Sequence, residues 1–142
     1  MTLPEPSSLA TTAAVNRPRV ALVTGASSGI GRDIAQVLLG DGLVVYCVAR
    51  RLSRMDELRS AGAIPIAMDL AIPNQIEAVI KQITQDHGGV DILVNNAGTN
   101  VALGPLSDIG TAAFDKMVDV NLKGPWYLAS RLAPRMAEHG GG

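Results

Sequence analysis

The chain has 142 residues, with 12 Lys plus Arg against 13 Asp plus Glu, 47% hydrophobic residues and 18% charged. That balance excludes global disorder, and a domain of this length buries roughly two-thirds of its unfolded surface without metal or disulfide staples. A net charge of −1 and 3% aromatic residues leave neither the basic footprint nor the stacking platforms of a nucleic-acid binder.

Met1 to Pro18 is rich in Thr, Ser, Ala and Pro without periodicity, which predicts a disordered tail. It lacks the charged start and apolar stretch of a signal peptide, and no apolar run in the chain reaches the ~20 residues of a membrane helix. An ordered domain is expected over residues 19–142. Val20 to Val23 reads as a buried strand, followed by a Gly-rich turn and a helix with Ile30, Ile34, Val37 and Leu38 at helical spacing, closed by Gly40 and Gly42. Leu43 to Ala49 gives a second strand. It carries the single cysteine, Cys47, which cannot pair within the chain and points to a reducing compartment, the cytoplasm. No Cys/His cluster has metal-ligand spacing. A polar helix follows over about Ser53 to Ala61, then a third strand, Ile64 to Met68, and an amphipathic helix through Ile76, Val79, Ile80 and Ile83 that ends at Gly88-Gly89. Asp91 to Asn95 is the fourth strand. A last helix, about Thr111 to Glu138, carries Phe114, Met117, Val118 and Leu122 on one side.

Continuous apolar strands alternating with helices predict parallel strands buried on both faces, an α/β doubly wound sheet. The Rossmann-type order would use these four strands as 3-2-1-4, truncated after the fourth strand and its following helix. The fourth strand would then be an apolar edge, with one face of the last helix unpartnered.

Between the first strand and helix lies Thr24-Gly25-Ala26-Ser27-Ser28-Gly29-Ile30-Gly31. A pyrophosphate approaching the N–H groups at a helix start needs side chains out of its way, and the helix dipole favours the anion. Gly29 and Gly31 are candidates for that approach and for close helix packing, Gly25 for the turn, and Ser27 and Ser28 for hydroxyl donors. A tight turn alone would explain three glycines. A Walker loop is excluded, because Gly31 is followed by Arg32-Asp33.

This TGASSGIG segment, with Asn95-Asn96-Ala97-Gly98 after the fourth strand, resembles the short-chain dehydrogenase/reductase family over residues 19–142. The resemblance implies a dinucleotide-binding oxidoreductase exchanging hydride between a nicotinamide and a carbonyl or secondary alcohol. It implies that Asp69 accepts from the adenine amino group with Leu70 alongside, that Ile30 joins the glycine loop in binding the cofactor, and that Asn95, Ala97 and Gly98 wall the ribose. Asp69 read alone is equally a turn cap before Pro73. It also implies that full-length relatives form homo-oligomers.

Preference between cofactors is read at the end of the second strand. NAD sites place an acid there, about 20 residues past the glycines, whereas this chain has Arg50-Arg51, suited to a 2′-phosphate. NADP(H) is expected over NAD(H), unless the two arginines are merely solvated charges.

In the family a Tyr, helped by Ser and a Lys four residues on, moves the proton, since a phenol near pKa 10 needs a cation to act at neutral pH. Tyr46 and Tyr127 are followed at that spacing by Arg50 and Arg131, and Lys81, Lys116 and Lys123 are preceded by Glu77, Ala112 and Asp119. The catalytic Ser, Tyr and Lys are therefore expected to be absent, with Ser130 an ordinary helix residue and His87 and His139 solvated caps. Asn121 matches the family asparagine whose carbonyl holds a water in the proton relay. Pro125, four residues later, has no N–H to bond that carbonyl, although a simple helix kink is the alternative. Other readings are a dinucleotide-binding protein without chemistry, a nonfunctional fragment, or a methyltransferase, the last leaving Asn95 to Gly98 unexplained. Thr99 to Gly110 is one possible wall of a substrate pocket too unspecific to name its ligand.

Overall fold

The computed structural model describes residues 17–101 and 103–142, so most of the expected tail lies outside the described residues. Arg17, within that tail, pairs with Asp91 at 2.7 Å. Four strands form one parallel sheet: β1 (Val20–Thr24), β2 (Val44–Ala49), β3 (Ile64–Ala67) and β4 (Ile92–Val94), in the order β3-β2-β1-β4. Register pairs Val20 with Val44, Ala21 with Ile92 and Tyr46 with Ile64. This is the expected doubly wound α/β arrangement.

Alternation along the strands divides the core. Val20, Leu22, Tyr46 and Val48 face α3 (Pro73–His87) and α5 (Gly124–Glu138), meeting Ile76, Val79, Ile83, Leu128 and Leu132. Ala21, Val23, Val45 and Cys47 face α1 (Gly29–Gly40) and α2 (Asp56–Ser60), meeting Ala35, Met55 and Leu58. Both faces are covered, which is why the strands read as unbroken apolar runs.

Three elements differ from the sequence reading. In α1 the fully buried stripe is Gly31 and Ala35; of the expected apolar residues Ile34 and Leu38 pack against this core, while Ile30 and Val37 are 71% and 63% exposed. Small side chains mark the packed face because they let the helix lie close on Ala21 and Val23. The polar helix after β2 is a 3₁₀ turn, Leu52–Met55, followed by the five-residue α2. The last helix runs over the expected Thr111–Glu138 but changes pitch within it: α4 (Thr111–Val118) buries no residue, a wider π turn spans Asp119–Lys123, and only α5 reaches the core. Its predicted apolar side is largely uncovered, with Phe114 58% and Leu122 64% exposed.

Candidate functional site

The carboxyl ends of the strands open into a cleft of ≈ 540 Å³, where ligands lodge in open α/β sheets. Its floor begins at Gly25, whose N–H bonds the Val48 carbonyl at 2.9 Å and whose φ of +68° is strained for any side chain. A Cβ on Gly25 would come 2.8 Å from Ala97 Cα, and one on Gly31 would collide with Asn96 Nδ2 and the Gly25 carbonyl. These two glycines therefore serve packing of loop, helix and β4. Gly29 differs: a Cβ there would meet nothing within 4 Å, and the residue lines the cleft. Ser28, the residue capping α1, is extended and makes no side-chain cap bond, and the first turn holds no acid. The positive end of the helix is thus left to whatever enters the cleft.

Gly25, Ser27, Ser28, Gly29, Ile30, Arg50, Arg51, Asp69, Leu70, Ala97 and Gly98 all line this cleft. Gly31, Asn95 and Asn121 do not; each supports it from behind or beside. Asn95 Nδ2 donates to the Pro125 carbonyl at 3.3 Å, tying the end of β4 to α5. Asn121 grips the backbone of Thr99 at both ends, accepting its N–H at 2.7 Å and donating to its carbonyl at 2.8 Å. Asn121 lies in the π turn, where Gly124 N–H bonds the Asp119 carbonyl and Pro125 offers no N–H to the Asn121 carbonyl.

Arg50 and Arg51 are exposed, and among the described residues neither guanidinium makes a hydrogen bond or ion pair. Asp69, by contrast, is engaged: one carboxylate oxygen accepts the Ala71 N–H at 2.9 Å and the other lies 3.5 Å from Lys116 Nζ. The turn-cap geometry is present together with the cleft-lining position.

Several supports carried no signal in the sequence reading. Thr24 Oγ1 donates to the Val94 carbonyl at 3.2 Å and accepts the N–H groups of Asn96 and Ala97 at 3.1 and 3.0 Å. Of Asn95 and Asn96, both of which the sequence offers as binders of the neighbouring strand's backbone, Asn96 does so through the Thr24 carbonyl at 3.1 Å, while Asn95 bonds Pro125 instead. Gly124 is required because a Cβ would lie 2.9 Å from both Leu70 Cβ and its carbonyl; the Gly-Pro pair was its only trace. Met68 and Val120 add apolar wall.

The phenols are occupied elsewhere. Tyr46 donates to Asp86 at 3.1 Å and lies 3.0 Å from His87 Nδ1; burial above all, then Asp86, pushes its pKa up to about 12. Tyr127 donates to Glu77 at 2.6 Å, which raises the phenol pKa and lowers that of the carboxyl, with Arg131 also on Glu77 at 2.8 Å. His87 and His139 are not simply solvated caps: His139 Nδ1 lies 2.9 Å from Arg17 Nη2. Among the described residues no His, Cys, Asp and Glu group could hold a metal, and no helix is long and apolar enough to cross a membrane.

Residues 19–142 match the short chain dehydrogenase family model. The chain is 39% identical over 125 residues to an uncharacterised short-chain type dehydrogenase/reductase of Sinorhizobium fredii, covering 87% of this chain and 48% of that protein. A metagenomic short-chain oxidoreductase solved in complex with NADP superposes with a TM-score of 0.82 at 37% identity, covering 89% of this chain and 60% of the other. L-Sorbose reductase of Gluconobacter frateurii, complexed with NADPH and L-sorbose, gives 0.82 at 33% identity, over 89% and 50%. The chain spans about half the length of these relatives, and sequence, sheet order and cleft together place it as a member of the short-chain dehydrogenase family of oxidoreductases.

Proposed function

We propose that this chain is the cofactor-holding portion of an NADP(H)-dependent oxidoreductase acting on a small carbonyl or secondary alcohol. The observation that carries the cofactor preference is the pair Arg50 and Arg51, two guanidiniums without partners among the described residues, on the cleft that also receives the uncapped start of α1. Two anionic groups of one ligand fit those two places. The open side of Gly29 suits a close pyrophosphate, and Asp69, Leu70 and Ile30 suit the adenine end. Gly98, Ala97 and Asn95, the last through its hold on Pro125, suit the ribose.

When bound, a nicotinamide dinucleotide supplies hydride exchange with a carbon centre. The chain's own residues bind and orient it. Asn121, fixed by its clasp on Thr99, holds a backbone carbonyl in a π turn, and Pro125 supports the reading that this carbonyl receives a water for proton relay. The committed phenols of Tyr46 and Tyr127 support the absence of the acid-base Tyr with its Ser and Lys from these 142 residues. A buried, unpaired Cys47 suits a reducing compartment such as the cytoplasm.

Titration calorimetry with NADPH and NADH tests the preference. Each charged contact to a 2′-phosphate contributes ~1.5–3 kcal/mol, so Arg50→Asp with Arg51→Ala is expected to reduce the NADPH/NADH affinity ratio at least tenfold. An unchanged ratio overturns the assignment. The alternative of a binding protein without chemistry shares the same cleft and is separated from it by whether the reading frame past Gly142 encodes a Ser-bearing strand and a Tyr-x-x-x-Lys helix.

A further inference from the structure

Arg32 is absent from the cleft lining, yet it grips the glycine loop from the second half of α1's opening turn. Its Nη2 donates to the Ser27 carbonyl at 2.9 Å, and its Nη1 lies 3.4 Å from Glu57 Oε2 on α2. The Ser27 contact is short and charge-assisted, and it involves a side chain only 34% exposed. The Glu57 contact is long, with a carboxylate 77% exposed, so it orients the guanidinium and adds little energy.

A trans peptide plane carries C=O and N–H on opposite sides. Pinning the Ser27 carbonyl therefore also fixes the Ser28 N–H, at the residue that opens α1 and lines the cleft. Without the pin, that peptide can turn, and a carbonyl dipole then competes with an anion for the same space. We propose that Arg32 is a positioning residue for the dinucleotide pyrophosphate, acting through the Ser27-Ser28 peptide without touching the ligand. The proposal rests on the cofactor reading of the cleft.

The test uses two probes on the full chain: 2′-phospho-ADP-ribose, which carries a pyrophosphate, and adenosine 2′-monophosphate, which does not. Arg32→Met keeps the aliphatic stem and removes the donors. It is expected to weaken 2′-phospho-ADP-ribose about tenfold while adenosine 2′-monophosphate changes less than twofold, and Arg32→Lys, which keeps a donor of similar reach, is expected to recover most of the loss. Equal weakening of both probes would mean a general fold or charge effect and overturns the proposal, as does no weakening of either. Should Arg32→Met fail to fold, the Arg32→Lys and Glu57→Gln variants carry the test: each is expected to lower the pyrophosphate probe's affinity twofold to threefold and leave the other unchanged, and parity between probes again overturns it. If the unaltered chain binds neither probe, the cofactor reading itself fails, a result distinct from all of these.

Discussion

Thr24 joins β1 to β4 through a hydroxyl that is 1% exposed and fully used, giving one hydrogen bond and accepting two. Valine has the same shape and none of these bonds, so Thr24→Val strips the Ala97 N–H of its partner, while the Asn96 N–H and the Val94 carbonyl keep their bond to each other at 3.1 Å. A buried unsatisfied group costs about 1–3 kcal/mol, and a loss in that range is expected in urea unfolding, with weaker cofactor binding because Asn96 and Ala97 shift. Gly124 makes an opposite demand. Gly124→Ala drives a methyl into Leu70, and overpacking of this kind costs about 1–3 kcal/mol. Since Leu70 lines the cleft, NADPH affinity is expected to fall along with the unfolding midpoint. The glycines at 25, 29 and 31 were legible in sequence from their spacing between strand and helix, although 25 and 31 are held by packing and only 29 has open space where a side chain would stand. Gly124 was not, since its need comes from a loop more than fifty residues away.

At the level of elements, β2 carries two groups whose protons are held more tightly in the folded chain. Burial raises the Cys47 thiol from 9.0 to about 11, and burial with Asp86 raises Tyr46 from 10.0 to about 12. Each raised acid contributes stability that is complete below its unfolded pKa and is lost as pH rises through the folded one. Stability is therefore expected to hold up to about pH 9 and to fall between there and pH 12. Tyr46→Phe should flatten the upper part of that decline, read as the urea midpoint against pH; an unaltered slope between pH 10 and 12 contradicts the buried phenol. The strands and their order were legible because burial on both faces writes an unmistakable apolar run. Helix faces were less so: α1 packs through Gly31 and Ala35, residues that a search for bulky side chains passes over, and the π turn in the last helix follows from Pro125 only once the third dimension is known.

For the whole molecule, cofactor binding and turnover should separate. The 142 residues are expected to give heat with NADPH in calorimetry and no change in nicotinamide absorbance when a panel of ketoses, polyols and simple ketones is added. Turnover by this chain would refute the reading that the acid-base Ser, Tyr and Lys are absent from these 142 residues. Cleft membership was readable for the glycine loop, for Arg50-Arg51 and for Ala97-Gly98. Supporting contacts such as Asn95 on Pro125 and Arg32 on Ser27 were invisible, because they depend on side-chain direction rather than residue type.

The rim opposite the cleft is fastened by one carboxylate. Asp91 accepts the Val20 N–H at 2.7 Å, takes the Arg17 guanidinium through both oxygens, and lies 3.8 Å from His139. A five-residue strand, about 15 Å of backbone, separates this fastening from the ligand's place. Robustness and recognition thus occupy different latitudes of the same sheet, so an engineer can harden the lower one against heat while leaving the upper one free to be retuned for another coenzyme.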